Sequence, residues 1–538
     1  MLRVGCCTGV LFTMPAIGAV ILARLERTVG KLVERLGDEP TSTTSNHGPS
    51  SPVDNIRNAV DGPVGRQQFL ESDHNADSSL TAMDGPVFVI RDAAAEVGMG
   101  QHDARLVGSG LPEGEADVIS KGLITVNDAT TLLQLFHEHY GRWVAFKDIA
   151  VNDLLRDVRR SPLLLCACCL IAVRHTTEEL ASAVAPRMFE EAKSLFSKAL
   201  LVVPQTFDFF QATVILSMWS TTIGQVLLSV DSWLSSGFAL QHSLASDVFR
   251  PVKSRSAQMT RQDLGSVAVW NNLCLTHLHY SVGTQRRPLL KQDQIDRCRM
   301  VLDSDHATNF ECRIVAEVHL YWTIYETCLG DSVDLPETQA ILRAWKQEWG
   351  FLFDQPRSQF LQLGFHFAQL LAFDHSLKSR SAAVRESLLS EMVRLSGAIL
   401  NLAIETADAR TRHLSDHIYH VITFAAVTLC RLLHLYEDRL SASHDIAKLD
   451  QLLLDLVTWL YSIGLPCHVA HTLGDVVAAF HKKLRPTARP TPSQEEAELW
   501  GQPEFANFFP DLLGTAIYDG TDYAMLPDWE PFATRPAN

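Results

Sequence analysis

Apolar side chains recur at three- and four-residue spacings through most of the chain from residue 121 to residue 484. This spacing places them along one side of an α-helix. No stretch combines sustained strand alternation with a hairpin turn between β-branched runs. We therefore predict an all-α fold, in which residues 121–486 form one large multihelical domain of stacked antiparallel helices.

The centre of this domain is predicted to be two helices within residues 204–250. The first is apolar around most of its circumference, which predicts burial; its large side chains are Phe207, Phe210, Val214, Leu216 and Trp219. The second begins after Asp231, a good N-cap residue. We expect its buried face to carry Trp233, Leu234, Phe238, Leu240 and Leu244, with Ser235, Gln241 and Ser246 facing the opposite way.

Periodicity and capping residues predict the remaining helices. Asn127 or Asp128 is expected to cap a helix that buries Leu132, Leu135, Phe136 and Tyr140. Pro162 begins an eleven-residue apolar helix, which is too short to cross a membrane and is expected to be buried. Further helices are predicted over residues 178–203, 261–282, 310–329, 336–349, 360–373, 387–406, 414–437, 446–463 and 468–484.

Composition and cysteine spacing limit the function classes. The formal net charge of the 538 residues is -16, which argues against broad nucleic-acid binding by the body of the protein. The 11 cysteines have no regular spacing, and most lie in apolar helical stretches. We expect reduced thiols without a disulfide framework, and we expect Cys166, Cys168 and Cys169 to be protonated and inert.

Sequence signals for catalysis and metal binding are missing. The chain has no G-x-G-x-x-G after a strand, no phosphate-binding G-x-x-x-x-G-K-[ST] and no G-x-S-x-G elbow. Among the 21 histidines, His468 and His471 share a helix face, but no third ligand follows from their spacing. We predict that this chain is not an enzyme, that it holds no cofactor or metal, and that these histidines are structural.

The N-terminal region carries two apolar patterns. Residues 1–23 are interpreted as an apolar leader; the alternative is a membrane anchor formed by residues 4–23, which are uncharged and apolar. Residues 24–37 continue as a short coiled coil, for which the alternative is a solvated amphipathic helix. The predicted dimerisation residues are Leu22, Leu25, Val29, Leu32 and Leu36. Residues 38–120 are predicted to be a mostly disordered linker.

The C-terminal tail, residues 487–538, combines acidic and aromatic side chains. From Glu495 onward it holds nine carboxylates against one arginine, Arg535, so half of the net charge of the chain lies there. Carboxylates keep aromatic side chains solvated and available to a partner, which predicts an activation segment. The alternative is a tail that packs on its own helical domain. The aromatic residues are Trp500, Phe505, Phe508, Phe509, Tyr518, Tyr523, Trp529 and Phe532.

Several stretches are similar to one known family. The pattern of Gln211 on the first central helix, then Trp233, Gly237, Ala239 and Leu240 on the second, resembles the middle homology region of fungal zinc-cluster transcription factors. GLITVNDATTLLQLFHEHYGRWVAF resembles the opening of that region. The helix that bears Trp270 and the turn that follows it resemble another of its elements. The resemblance covers residues 122–484.

This resemblance implies a nuclear transcription regulator that controls a pathway gene set. LLLCACCLIAVRHT and LTHLHYSVGTQRRP resemble segments of regulators of secreted-protease or secondary-metabolite genes. The family implies homo- or heterodimers and contact of the tail with the transcription machinery. Its paired C-x2-C-x6-C cluster is absent from these residues, since Cys6 and Cys7 are adjacent. Zinc is therefore expected only with a missing cluster, and DNA contact only through that cluster or a partner's. The alternatives are a non-DNA-binding partner or inhibitor of a zinc-cluster factor and a membrane-anchored helical protein.

Overall fold

A computed structural model describes residues 115–219, 231–249, 261–304, 307–328, 333–377 and 382–486. The predicted apolar leader, the linker, the coiled coil of Leu22 to Leu36 and the acidic aromatic tail lie outside these residues. Those features therefore stay predictions.

The described residues form fifteen α-helices and contain no strand, which confirms the all-α prediction. In chain order they are α1 Val126–Tyr140, α2 Val151–Val158, α3 Pro162–Ala172, α4 Glu178–Ala199, α5 Phe207–Trp219, α6 Ser232–Leu244, α7 Arg261–Gly283, α8 Gln292–Arg297, α9 Asn309–Cys328, α10 Leu335–Trp349, α11 Gln359–Leu377, α12 Ala382–Glu405, α13 Asp416–Leu440, α14 Ile446–Tyr461 and α15 Val469–Leu484. Short 3₁₀ turns join several of them, including Gly141–Val144, Val173–His175 and Thr411–His413.

Side-chain caps fix where several helices begin. α1 is capped by Thr125, not by Asn127 or Asp128 as the sequence predicted. The hydroxyl of Thr125 accepts the backbone N–H of Asp128 at 3.1 Å, and the Asp128 carboxylate accepts the Thr125 N–H at 3.1 Å. This reciprocal pair satisfies two donors that a helix end leaves without partners. Asp231 caps α6 as predicted, with its carboxylate accepting from the Leu234 N–H at 3.0 Å.

The helices pack in a continuous series. α3 lies between α1 and α5, α5 packs on α6 and α7, and α7 packs on α9. The series continues from α9 through α11, α12 and α13, and α13 packs on α15, which in turn packs on α14. The 3₁₀ turns and short loops between consecutive helices let neighbours in sequence become neighbours in space.

α5 is buried as predicted. Every residue from Phe209 to Trp219 is shielded from solvent. The buried polar side chains of this stretch are hydrogen-bonded: Gln211 donates its side-chain amide to the Val144 carbonyl at 2.6 Å, and Thr213 donates to the Phe209 carbonyl at 2.8 Å. A helix that is apolar on all sides needs neighbours on all sides, and α3, α6 and α7 supply them.

The prediction for α6 was wrong about which face is buried. Leu234, Phe238 and Leu244 are 48%, 39% and 59% exposed, and Trp233 is only partly buried. Ser235, which was expected on the polar outer face, is buried, and so is Ser246 just beyond the helix. Leu240 is buried as expected, whereas Gln241 faces solvent.

Small side chains explain this orientation of α6. The hydroxyls of Ser217 on α5 and Ser235 on α6 lie 2.9 Å apart, and Ser236 Oγ lies 2.9 Å from His277 Nδ1 on α7. Ser236 also donates to the Ser232 carbonyl one turn earlier at 2.5 Å. Serine and glycine allow close approach of helices, and these hydrogen bonds remove the cost of burying the hydroxyls. The small face is therefore buried and the bulky face is left outside.

Two helices of the described residues are long and apolar enough to cross a membrane, namely Glu386–Glu405 within α12 and Asp416–Leu440. More than half of each apolar stretch is buried inside the protein. Core helices of a helical body show the same length and composition, so we assign both to the core.

A buried polar core as the candidate functional site

An arginine and an aspartate pair in the interior between α3, α5 and α13. Arg174 follows α3 and Asp416 begins α13; both are buried, and Arg174 Nη1 lies 3.3 Å from Asp416 Oδ1. The second guanidinium nitrogen of Arg174 donates to the Trp219 carbonyl at the end of α5. Burial is the largest single influence and works against the charge of Arg174, but Asp416, Tyr140 and Cys467 together raise the pKa of the guanidinium above its usual value. One side chain thus joins three helices.

Beside this pair lies a group of aromatic and imidazole rings. The hydroxyl of Tyr140, at the end of α1, lies 2.5 Å from His175 Nε2 and 3.3 Å from His413 Nδ1. The rings of His139 and His413 stack with centroids 3.8 Å apart and an interplanar angle of 13°. Tyr140 also packs edge-on against Trp219 at 5.0 Å. The carboxyl end of α1 is thereby attached to the turn that precedes α13.

A second group of tyrosine and imidazole rings lies at the first turn of α13. Tyr321 Oη, on α9, lies 2.5 Å from His417 Nε2. His279, on α7, stacks on His417 with centroids 3.8 Å apart and an interplanar angle of 9°. Two tyrosine and stacked-imidazole groups, one on each side of Asp416, therefore connect α1, α7 and α9 to the start of α13.

Burial keeps these side chains uncharged. It lowers the pKa of His279 to about 3. For His413, burial together with the nearby His139 and Arg412 lowers the pKa to about 3. Burial raises the pKa of the hydroxyls of Tyr140 and Tyr321. Neutral imidazoles stack without charge repulsion and can both donate and accept hydrogen bonds, so the core is stable only while these rings stay unprotonated.

The thiols of α3 are inert, as the sequence predicted. Cys166, Cys168 and Cys169 are buried, and burial raises the pKa of Cys169 to about 12. Within the described residues no group of three or more His, Cys, Asp or Glu side chains is arranged to hold a metal ion. The buried polar side chains therefore fix the positions of the helices. The three thiols of α3 are not activated nucleophiles.

An ion-pair network attaches α15 to α13 and α14. Arg485 lies 2.7 Å from Asp450 Oδ2 and 2.6 Å from Glu437 Oε2. His481 Nε2 lies 3.0 Å from the other Asp450 oxygen. The hydrogen bond to Asp450 raises the pKa of Arg485, and burial opposes it. This network sits where the helical body ends and the C-terminal tail begins.

Sequence reasoning assigned one of the core histidines correctly and missed the centre of the site. His468 caps α15 by accepting from the Ala470 N–H at 3.1 Å, which confirms the structural role predicted for it. Arg174 and Asp416 were not selected, although Arg174 ends an apolar helix and an arginine there needs a partner. The sequence contained that signal but could not name a partner 242 residues away.

The fold and the buried polar core define an all-helical domain whose interior side chains fix the positions of its helices. The chain belongs to the family described as the middle domain of transcriptional activators of proteases prtT, whose model matches residues 122–484. This match covers the region that the sequence resemblance had indicated.

Individual relatives point the same way. The chain is 29% identical over 422 residues to the transcriptional activator of proteases prtT of Penicillium rubens, a match that covers 76% of this chain and 61% of that protein. It is 27% identical over 386 residues to an uncharacterized transcriptional regulatory protein of Schizosaccharomyces pombe, covering 69% of this chain and 72% of that protein. The Aspergillus niger prtT activator is 27% identical over 64% of this chain and 54% of its own length. No solved structure matches the chain.

Proposed function

We propose that this chain regulates transcription of a fungal pathway gene set, with secreted-protease genes as the first targets to test and secondary-metabolite cluster genes as the second. The observation that carries this proposal is the match of residues 122–484 to a middle domain named for activators of proteases. The chain spans about 61% of the Penicillium relative, so the activity of that whole protein is extended here only as a proposal.

The proposed role is regulatory and not enzymatic, and its place is the nucleus. The chemistry of the polar core supports this, because burial leaves His279, His413 and the α3 thiols in their uncharged forms. Uncharged imidazoles with such low pKa values are poor general bases near neutral pH. The curated relatives bear the names of transcription regulators, which act on nuclear DNA.

Within this role, different segments of the chain have different functions. The helical body holds the regulator in one shape, and the residues Leu22 to Leu36 join two chains or a chain and a related partner. The acidic aromatic tail contacts the transcription machinery. DNA is reached through a six-cysteine zinc cluster that these 538 residues lack or through the cluster of a partner.

Transcript profiling tests the target set. In the source fungus, deletion of the gene should lower the transcripts of secreted-protease genes, and restoring the intact chain should recover them. A matched strain carrying Arg187→Met, a change at an exposed residue, should behave like the intact chain. If protease and secondary-metabolite transcripts are unchanged by the deletion, the proposal is wrong.

A second candidate function is a partner or inhibitor of a zinc-cluster factor that does not itself contact DNA. The cysteine pattern favours it, because Cys6 and Cys7 are adjacent and no C-x2-C-x6-C pair occurs in the sequence. An electrophoretic shift assay separates the two candidates. If this chain alone shifts promoter DNA, the second candidate is excluded; if it alters the shift only when a zinc-cluster factor is present, the second candidate is favoured.

A further inference from the structure

The outer face of α6 is an apolar surface that no described element covers. Leu234 and Phe238 lie one helical turn apart on this face, and both are exposed. Among the described residues, six of the eleven large hydrophobic side chains that are exposed lie on α6 or on segments in contact with it: Leu201, Val203, Leu234, Phe238, Leu244 and Leu289. Such a concentration of exposed apolar side chains marks an interaction site.

A strand-like segment after α7 adds to this surface. Pro288 and Leu290 are buried, whereas Arg287, Leu289 and Lys291 face solvent, which is the alternation of an extended chain. The backbone N–H of Leu289 donates to His277 Nε2 at 3.0 Å, so the segment is held against α7. A Cβ atom on Gly237 would lie 3.1 Å from Leu289 Cδ1, which shows how closely Leu289 approaches α6.

The same surface is cationic at its edge. Arg287 and Lys291 flank Leu289, and neither forms an ion pair with a carboxylate in the part of the chain that the structure describes. The neighbouring Arg286 is occupied by Asp231, with 2.5 Å between Arg286 Nη1 and the carboxylate. Cations beside an apolar strip favour a partner that is both acidic and apolar.

The C-terminal tail has the complementary composition. Its aromatic residues stand next to carboxylates along the chain: Glu504 and Phe505, Tyr518 and Asp519, Asp522 and Tyr523, and Asp528, Trp529 and Glu530. A segment of this kind can bury its rings in an apolar groove while its carboxylates meet cations at the rim. Residues 487–499 connect this segment to the helical body, so its binding to the body would be intramolecular.

We propose that the acidic aromatic tail, residues 500–532, binds the α6 surface of its own chain, with aromatic rings on Leu234, Phe238 and Leu289 and carboxylates on Arg287 and Lys291. Bound in this way, the tail is withheld from other partners. This regulatory consequence rests on the activation role proposed for the tail, whereas the binding itself does not.

Photo-crosslinking in the full-length chain tests the binding. With p-benzoylphenylalanine in place of Phe238, ultraviolet light should link position 238 to residues 500–532. A mixture of ¹⁵N-labelled and unlabelled chains should give linked peptides in which both halves carry the same label. Links between differently labelled halves would instead identify a second copy as the occupant and overturn the proposal, as would the absence of any link to the tail.

Two further chains control for non-specific collapse. The same probe in place of Leu435, an exposed apolar residue on α13, should give no link to the tail. Changing Trp500, Phe505, Phe508 and Phe509 together to alanine should reduce the link at position 238 about tenfold, because aromatic anchors carry most of the affinity of such contacts. A link that survives these four changes unchanged would contradict the proposal.

The electrostatic part is tested by Arg287→Gln combined with Lys291→Gln. These exposed side chains are outside the core, so the fold should be retained, as circular dichroism can verify. The linked fraction should fall severalfold at low salt, and wild type should approach the variant at about 1 M salt, where exposed charges are screened. If the variant and the wild type give the same linked fraction at every salt concentration, charge complementarity plays no part.

A reporter assay separates this inference from the proposed function. If both hold, Leu234→Ser combined with Leu289→Ser in the intact chain should raise transcription of a target promoter, and the same two changes should abolish the crosslink from the probe at position 238. If the crosslink forms but no variant activates a promoter, the proposed function fails and the binding stands. If promoters are activated but no crosslink forms, the binding fails and the proposed function stands.

Discussion

At the scale of single residues, Arg174 holds the centre of the protein together. Arg174→Met would remove the guanidinium that faces the buried Asp416 carboxylate and the Arg174 donor to the Trp219 carbonyl. We expect the free energy of unfolding to fall by about 3–5 kcal/mol, the usual cost of removing one partner of a buried ion pair. Urea denaturation of the full-length chain, followed by circular dichroism, measures this loss.

The matched control is Arg187→Met, since Arg187 is exposed on α4. Surface changes of this kind alter stability by about 0.5 kcal/mol or less. Adding Asp416→Leu to the Arg174→Met variant should recover part of the loss, because the remaining buried charge is removed. Equal losses for Arg174→Met and Arg187→Met would contradict the role assigned to the pair.

His279 makes the stability of the protein depend on pH. Its pKa is about 3 in the folded chain against 6.5 for an unperturbed histidine, so between these values only the unfolded chain binds the proton. Stability is therefore complete above pH 6.5 and falls as the pH is lowered toward 3. The contribution of this one residue is a slope of about 1.4 kcal/mol per pH unit.

The slope is measurable from urea midpoints between about pH 6 and pH 4, where the folded chain keeps this ring neutral. His279→Leu removes the titrating group and retains an apolar side chain against His417. In the variant, the slope of the free energy of unfolding against pH should be smaller by the contribution of one proton, about 1.4 kcal/mol per pH unit. A variant with the same slope as the wild type would show that His279 does not take up a proton on unfolding.

The residues also show what sequence reasoning could reach. The cap Asp231 and the burial of α5 could be predicted from local rules. A capping side chain bonds within the first turn of its own helix, and a helix that is apolar on nearly all sides is stable only when it is buried. The partner of Arg174 did not follow, because the pairing joins residues 242 positions apart. Such pairings depend on the tertiary arrangement, which periodicity does not encode.

At the scale of the elements, α5 and α6 respond differently to the loss of a large ring. Trp219 is fully buried between Tyr140 and Trp143, with ring centroids 5.0 Å and 5.9 Å away. Trp219→Ala should lower the free energy of unfolding by about 3–5 kcal/mol through the cavity it creates. Phe238→Ala, on the exposed face of α6, should cost less than about 1 kcal/mol. Thermal or urea unfolding of both variants gives the comparison.

The two helices show the limit of hydrophobic patterning. In α6 the bulky apolar residues are exposed, and serines and Gly237 are buried. A pattern rule places large apolar side chains inside, but close helix contacts need small residues, and serine hydroxyls can bond within their own helix. If Trp219→Ala and Phe238→Ala lower the free energy of unfolding by equally large amounts, Phe238 is buried and α6 has the orientation that the hydrophobic pattern predicted.

At the scale of the whole molecule, the helical body ends in the Arg485 network. Arg485→Met leaves Asp450 and Glu437 without their shared cation, and Asp450 is largely buried. We expect a loss of about 3 kcal/mol in stability. Hydrogen exchange should show faster opening in residues 469–484 than in residues 126–172, because the network attaches only the last helices.

Lys483→Met serves as the control, since Lys483 is exposed on the same helix. Its exchange should match the wild type throughout. If Arg485→Met accelerates exchange equally in all helices, α15 is not a separate unit of opening. The positions of the long helices were predicted well, because long periodic segments with caps carry a local signal, whereas the short α2 and α8 were not predicted. The order in which they pack was not predictable, since it is set by pairings such as Arg174 with Asp416.

The reactivity of the three thiols of α3 reports local opening of the protein. Cys166, Cys168 and Cys169 are enclosed by α1, α4 and α5, and a thiol in this setting reacts only after the surrounding helices separate. The rate at which an alkylating reagent modifies them under native conditions therefore reports how often the middle of the domain opens. No label needs to be introduced at the centre of the molecule, because the chain already carries one there.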